Sequence, residues 1–138
     1  DSADKIMFCK DWVRFKMTGE VRTELTDSLT SLVDVQTGKI AEELLEKLGL
    51  SEYRSYLPDP GRSDEVIGTI LDSFADEMGL KRGLPIIAGS LDTSATAVGL
   101  GAVHEKDVCV ILGTTCASEI VLCKEEIQAL KEAKELSV

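Results

Sequence analysis

Gly83-Leu84-Pro85-Ile86-Ile87-Ala88-Gly89-Ser90-Leu91-Asp92-Thr93, followed further on by Val108-Cys109-Val110-Ile111-Leu112-Gly113-Thr114-Thr115, is the stretch that decides the fold class. Each half is a short continuous apolar run closed by glycine and polar residues. Such a run suits a strand in a sheet covered on both faces, where alternation of apolar and polar residues is not needed. Residues 92–102 between them carry Ala95, Ala97, Gly99 and Gly101, small residues that suit a closely packed helix. The pattern strand–helix–strand predicts an α/β protein. Residues 84–89 and 108–112 are expected to be neighbouring buried strands of a parallel or mixed sheet, with the helix from 92 packed on one face. Residues 117–122 read as a further strand, so the glycine and threonines before it form a hairpin turn, and residues 124–136 read as a helix with Ile127, Leu130 and Ala133 or Lys134 on one side.

Upstream, residues 3–18 place Ile6, Cys9, Trp12, Val13 and Met17 on one helical stripe, and Gly19 stops that helix. Thr26-Asp27-Ser28 is a polar break. Leu29, Ser31, Val33 and Val35 alternate with their neighbours and predict a short strand, closed by a turn at Gln36-Thr37-Gly38-Lys39. Residues 41–48 read as a helix ended by Gly49. Leu57-Pro58-Asp59-Pro60-Gly61 reads as a loop, because prolines and glycine do not suit an element interior. Residues 65–71 suit a strand, and residues 72–79 a helix with Phe74 and Met78 turned inward. The charged stretch 103–107 is the best-marked domain boundary.

With 138 residues and 43% apolar content the chain can build one compact core, or most of one domain and the opening of another. The net charge of −10 disfavours nucleic acid or an anionic membrane as partner, since phosphate surfaces require Lys and Arg. No apolar stretch is long enough to span a bilayer. The cysteines at 9, 109, 116 and 123 are irregularly spaced and His104 is the one histidine, so a Cys/His zinc site is disfavoured. Thiols within apolar runs suggest a reducing compartment, so a cytoplasmic protein is expected. The sequence opens at Asp1 inside an apparent helix, and it is expected to be an internal stretch of something longer.

The residues that could carry chemistry lie at the ends of the two decisive runs. Asp92 follows a buried strand and precedes a helix, a place where ligands bind in open α/β sheets. A carboxylate held there can accept a proton from an incoming hydroxyl, and an adjacent helix N-terminus helps to keep it ionised. An Asp in that position is also an ordinary helix cap. Gly113-Thr114-Thr115 can offer backbone N–H groups and hydroxyls to phosphate oxygens, or be a plain hairpin turn. Trp12 and Tyr53 could stack on a sugar, but core packing is the simpler reading for an aromatic on a helical stripe. His104 reads as a loop residue, Cys116 as packing, and the pairs Glu42-Glu43 and Glu125-Glu126 as solvated helix faces.

Lys10-Asp11 with Met17-Thr18-Gly19-Glu20 resembles the K-D-x-x-x-x-x-L-T-G-E helix and turn of FGGY-type carbohydrate kinases. Thr26-Asp27-Ser28, Leu32 to Gly38, Glu43-Leu44-Leu45, Leu48-Gly49, Leu57-Pro58, Gly68, Gly79-Leu80 and Gly83-Leu84-Pro85-Ile86 follow in the order that family shows. Gly89-Ser90-Leu91-Asp92 is similar to its G-x-x-D, and Leu112-Gly113-Thr114-Thr115 to its L-G-T-[ST]. The similarity covers residues 3–122, and its force lies in the order and spacing of the motifs together.

The resemblance implies a fold and roles. The fold would be part of a two-domain actin-like ATPase (ribonuclease H-like), with residues 1–103 the latter part of the first domain and residues 104–138 the start of the second. The parent protein would phosphorylate a hydroxyl of a small sugar or polyol with ATP and Mg²⁺. Asp92 would be the catalytic base, Thr93 would lie near the sugar, and Gly113, Thr114 and Thr115 would touch the ATP phosphates. The family's first phosphate loop with its Mg²⁺-binding acid, the upstream sugar-gripping residues and the downstream adenosine motif have no counterpart in these residues, and Ile40 stands where many members carry Trp. No residue of this chain is assigned to the metal, and the chain by itself is expected to be inactive. A homo-oligomer is expected. The alternative is a non-catalytic actin-like module for structure or assembly.

Overall fold

The computed structural model describes residues 3–132, and the chain divides into two compact units, Asp1–Ser90 and Leu91–Val138. In the first unit the order is α1 (Cys9–Thr18), β1 (Thr23–Glu24), α2 (Leu25–Ser28), α3 (Glu42–Lys47), a 3₁₀ turn (Ser51–Tyr56), β2 (Pro60–Gly61), β3 (Val66–Thr69), α4 (Asp72–Met78) and β4 (Pro85–Ile87). The second contains α5 (Asp92–Gly99), β5 (Val108–Leu112), β6 (Cys116–Ile120) and α6 (Lys124–Glu132).

Helix α1 ends where expected, because Gly19 adopts φ 76° and its N–H bonds to the Phe15 carbonyl, a left-handed cap that costs glycine nothing. The helix begins only at Cys9, and the expected apolar stripe is not the buried one. Trp12 and Val13 are 55% and 51% exposed, whereas Asp11, Arg14 and Thr18 are buried. These three are one face of a helix too. Part of their polar surface is paired: Arg14 pairs with Asp11 and donates to the Arg22 carbonyl, and the Thr18 hydroxyl donates to the Arg14 carbonyl, while Asp11 Oδ2 and Arg14 Nε and Nη1 are buried without a partner among the described residues.

The strand expected at 29–35 is absent. Glu24 caps α2, which draws Thr26-Asp27-Ser28 into a helical turn, and residues 29–32 continue as turns. Of the alternating residues, Val33 alone makes a β-bridge, with Ile40. Between them the Asp34 carboxylate accepts the N–H groups of Gln36 and Thr37 at 2.9 and 2.7 Å, a local turn that competes with any extended pairing. The bridge feeds the core instead. Val33, Ile40 and Leu45 are buried together, with Leu25, Leu29, Leu32, Leu50 and Leu57 packed around them. Helix α3 contributes Leu45, fully buried, from the predicted 41–48 segment.

The proline-rich stretch is a loop apart from Pro60–Gly61, which pairs in parallel with Thr23–Glu24. Two residues suffice there because Pro60 has no N–H to donate to a longer ladder. β3 and β4 pair antiparallel, with an irregularity between Val66 and Gly68. Helix α4 forms as expected but buries Ala75; Phe74 is half-buried and Met78 is 59% exposed.

The expected pairing of 84–89 with 108–112 does not occur. β4 pairs with β3, and β5 pairs with β6 in a hairpin from Val108↔Ile120 to Leu112↔Cys116. β5 and β6 are joined by a tight turn, whereas β3 and β4 pair across the segment that carries α4. Nor are the strands covered on both faces: Ala88 and Cys109 are buried, while Ile87, Val108, Val110 and Leu112 are exposed. In the second unit Ala97 is the buried residue of α5, which packs against β6. The stretch 103–107 is a tight turn, with the Asp107 carboxylate accepting the N–H groups of Val103 and His104. Ala133 and Lys134 lie outside the described residues. No helix among the described residues is long and apolar enough to cross a membrane.

Candidate active site

β4 delivers the chain to Ala88 and Gly89, whose N–H groups bond to the carbonyls of Glu65 and Ser63 at 2.8 and 2.9 Å. Gly89 takes φ 75°, where a side chain would be strained. Helix α5 then starts at Asp92. Leu91 is the residue in the cap position and supplies no side-chain cap. Asp92 is therefore the first helical residue, exposed, with one carboxylate oxygen accepting the Thr93 N–H at 2.7 Å. The carboxylate lies at the positive end of the helix, on an exposed residue. Thr93 is half-buried beside it.

Gly113-Thr114-Thr115 forms the exposed turn of the β5–β6 hairpin, in the same unit as Asp92. The Gly113 N–H is used within the turn, bonding to the Thr115 carbonyl at 3.0 Å. Thr114 and Thr115, both exposed, complete the turn. Hydroxyls at an exposed, glycine-led turn fit phosphate oxygens. No group of three or more His, Cys, Asp or Glu among the described residues could hold a metal ion.

The other polar candidates are surface features. Trp12 lies under Lys16, whose ammonium is 5.9 Å from the ring centroid. Tyr53 packs on Tyr56. His104 is exposed, 3.4 Å from the Asp107 carboxylate. Glu42 and Glu43 pair with Arg54 and Lys47, and Glu126 accepts the Cys123 N–H at the start of α6. Cys116 is exposed at the start of β6. An apolar cavity of about 240 Å³ in the first unit is lined by Ile6, Phe8, Leu32, Val33, Leu57 and Pro58 among others. None of the expected site residues lines it, and its apolar wall suits no polyol.

Sequence reasoning missed a buried polar cluster around Glu24. Its carboxylate, fully buried, receives Lys10 at 2.7 Å, the N–H groups of Thr26 and Asp27 at 2.8 and 2.9 Å, the Thr26 hydroxyl, and the Ser63 hydroxyl at 2.9 Å. Lys10 also pairs with Asp27 at 2.7 Å. Burial pushes the Glu24 carboxyl up, but the bonds from Lys10, Asp27 and Thr26 outweigh it and hold the carboxyl at about 2. The available signal was an acid at the cap position before Leu25-Thr26-Asp27-Ser28.

Residues 1–99 match the FGGY family of carbohydrate kinases, N-terminal domain. The chain is 32% identical over 128 residues to a xylulose kinase of Escherichia coli, covering 89% of this chain and 26% of that protein. Its structure is similar to that of a xyloylose kinase from Brucella ovis, with a TM-score of 0.73, 31% identity, and coverage of 83% of this chain and 24% of that one. It is equally similar to a ligand-bound xylulose kinase from Lactobacillus acidophilus, with a TM-score of 0.73, 25% identity, and coverage of 85% and 24%. The chain spans about a quarter of the length of these relatives.

Proposed function

The chain belongs to the FGGY family of carbohydrate kinases, and on that premise we propose that the full-length protein transfers the γ-phosphate of ATP to a hydroxyl of a small sugar or polyol. Its fold is part of the α/β, actin-like ATPase fold that the solved relatives share. The observation that carries the reading is the placement of Asp92: exposed, at the first turn of α5, just beyond the strand β4 that ends the matched sheet pair.

In the proposed reaction the Asp92 carboxylate takes the proton of the acceptor hydroxyl as its oxygen attacks the γ-phosphorus. The bond between that phosphorus and the bridging oxygen breaks, and ADP leaves. Thr93 lies beside the acceptor. Gly113, Thr114 and Thr115 are assigned to the ATP phosphates, through the two hydroxyls and the close approach the glycine permits. ATP brings Mg²⁺ with it; no residue of this chain is assigned to the metal. The proposal keeps residues 1–103 as the latter part of the first domain and 104–138 as the opening of the second. It places the protein in the cytoplasm, in keeping with four cysteines that are all unpaired, as a homo-oligomer.

The test is a coupled ADP-release assay on the full-length protein with xylulose and a panel of other pentoses, hexoses and polyols. Release of ADP that depends on one of these acceptors is expected. ATP turnover indifferent to every acceptor would favour a non-catalytic module.

A further inference from the structure

We propose that Ser63, together with Lys10 and Glu24, is a positioning device for the turn at Gly89, from which the chain runs on to Asp92. The catalytic consequence rests on the kinase reading; the structural one does not. Three observations within the first unit meet at this turn. The Ser63 hydroxyl donates to Glu24 at 2.9 Å while the Ser63 carbonyl accepts the Gly89 N–H at 2.9 Å, so one residue ties the buried carboxylate to the turn. Glu24 is itself fixed from several elements: Lys10 of α1 and the N–H groups of Thr26 and Asp27 in α2, which it caps. From the other side, the Lys10 stem lies beneath the turn, since a Cβ built on Gly89 would sit 3.8 Å from Lys10 Cδ.

The chemistry of this arrangement goes beyond holding up a core. An ion pair buried for stability alone has a hydrophobic equivalent that is often as good. Here the buried charge is spread over α1, α2, the loop after β2 and, through the Ser63 backbone, the exit of β4. The Ser63 carbonyl bonds the Gly89 N–H directly, and the other contacts hold Glu24, which accepts the Ser63 hydroxyl. A base must be held close to its productive place to act, and small displacements are costly. Lys10, Glu24 and Ser63 touch no reacting atom in this proposal; they act through the backbone.

Ser63→Ala deletes the one hydroxyl and leaves the carbonyl, and Ser63→Thr restores a hydroxyl. In the full-length protein, hydrogen–deuterium exchange is measured on peptides covering 84–91 and, as control, 42–50. Ser63→Ala is expected to speed exchange in the first by about tenfold, the worth of one hydrogen bond to a charged group, and to leave the second unchanged. The kcat for the acceptor should fall with its KM unaltered, and Ser63→Thr should recover both exchange and kcat. Unchanged exchange at 84–91, an equal rise at 42–50, or no recovery with Thr would overturn the proposal. If the wild-type protein transfers no phosphate, the proposed function fails while the exchange comparison still decides this inference.

Discussion

A carboxylate as deeply buried as that of Glu24 stays charged only because five groups donate to it, and that has a consequence in acid. Its folded pKa of about 2 lies below the ordinary 4.5, so the unfolded chain binds the proton more tightly. The stability this supplies is complete above the ordinary value and is lost as pH falls through the folded one. We predict that the urea midpoint holds above about pH 5 and declines between roughly pH 4.5 and 2, by up to on the order of 3 kcal/mol from this group. Glu24→Gln should be less stable at neutral pH and show a flatter profile across that window; an unaltered slope would remove Glu24 as the cause. Asp92 makes the opposite kind of prediction. Asp92→Asn keeps the size and the bond to the Thr93 N–H but cannot take a proton. If the full-length protein is the proposed kinase, its kcat should drop about 10²–10⁴-fold with little change in substrate binding or melting temperature. Near-normal turnover would return Asp92 to a helix-start role, for which Asn serves as well.

Among the elements, α3 is the one the core depends on. Leu45 is fully buried against Val33 and Ile40, so Leu45→Ala should cost about 2–5 kcal/mol in chemical denaturation. A loss under about 1 kcal/mol would mean that the leucines around the site close over the gap. The elements also show what was legible in the chain itself. β3, α3, α4, α5 and the β5–β6 hairpin follow from local cues: short apolar runs, the glycines after α1 and α4, and the small residues of α5. The failures lie where side-chain hydrogen bonds overrule hydrophobic period. Leu29 to Val35 alternates like a strand, yet the Glu24 cap and the Asp34 turn bend it into turns. The α1 stripe of Cys9, Trp12 and Val13 is the apolar face, yet the face that packs is Asp11, Arg14 and Thr18. Periodicity records apolarity and is blind to a polar face held by an ion pair and hydrogen bonds to the backbone. For the same reason the helix start at Asp92 and the hairpin turn at Gly113 were legible from their places after apolar runs, while the bonds that join Lys10, Glu24 and Ser63 were not.

At the scale of the whole molecule, the chain spans about a quarter of the length of its relatives. Val108, Val110, Leu112, Ile87, Trp12 and Val13 are exposed apolar groups, and surface of this kind seeks a partner. The 138-residue chain by itself is therefore expected to self-associate, and a clean monomer in sedimentation at high concentration would count against that. The same chain is expected not to phosphorylate sugars, because positioning and charge stabilisation at the γ-phosphate come from several parts of such an enzyme together. The central claim concerns the full-length protein, and the most direct measurement follows the phosphate. With ATP radiolabelled in its γ-phosphate and a panel of sugars and polyols, the label is predicted to appear on the hydroxyl of one acceptor, at a rate that Asp92→Asn suppresses. Label found only in ATP or in inorganic phosphate, whatever acceptor is supplied, would contradict the account.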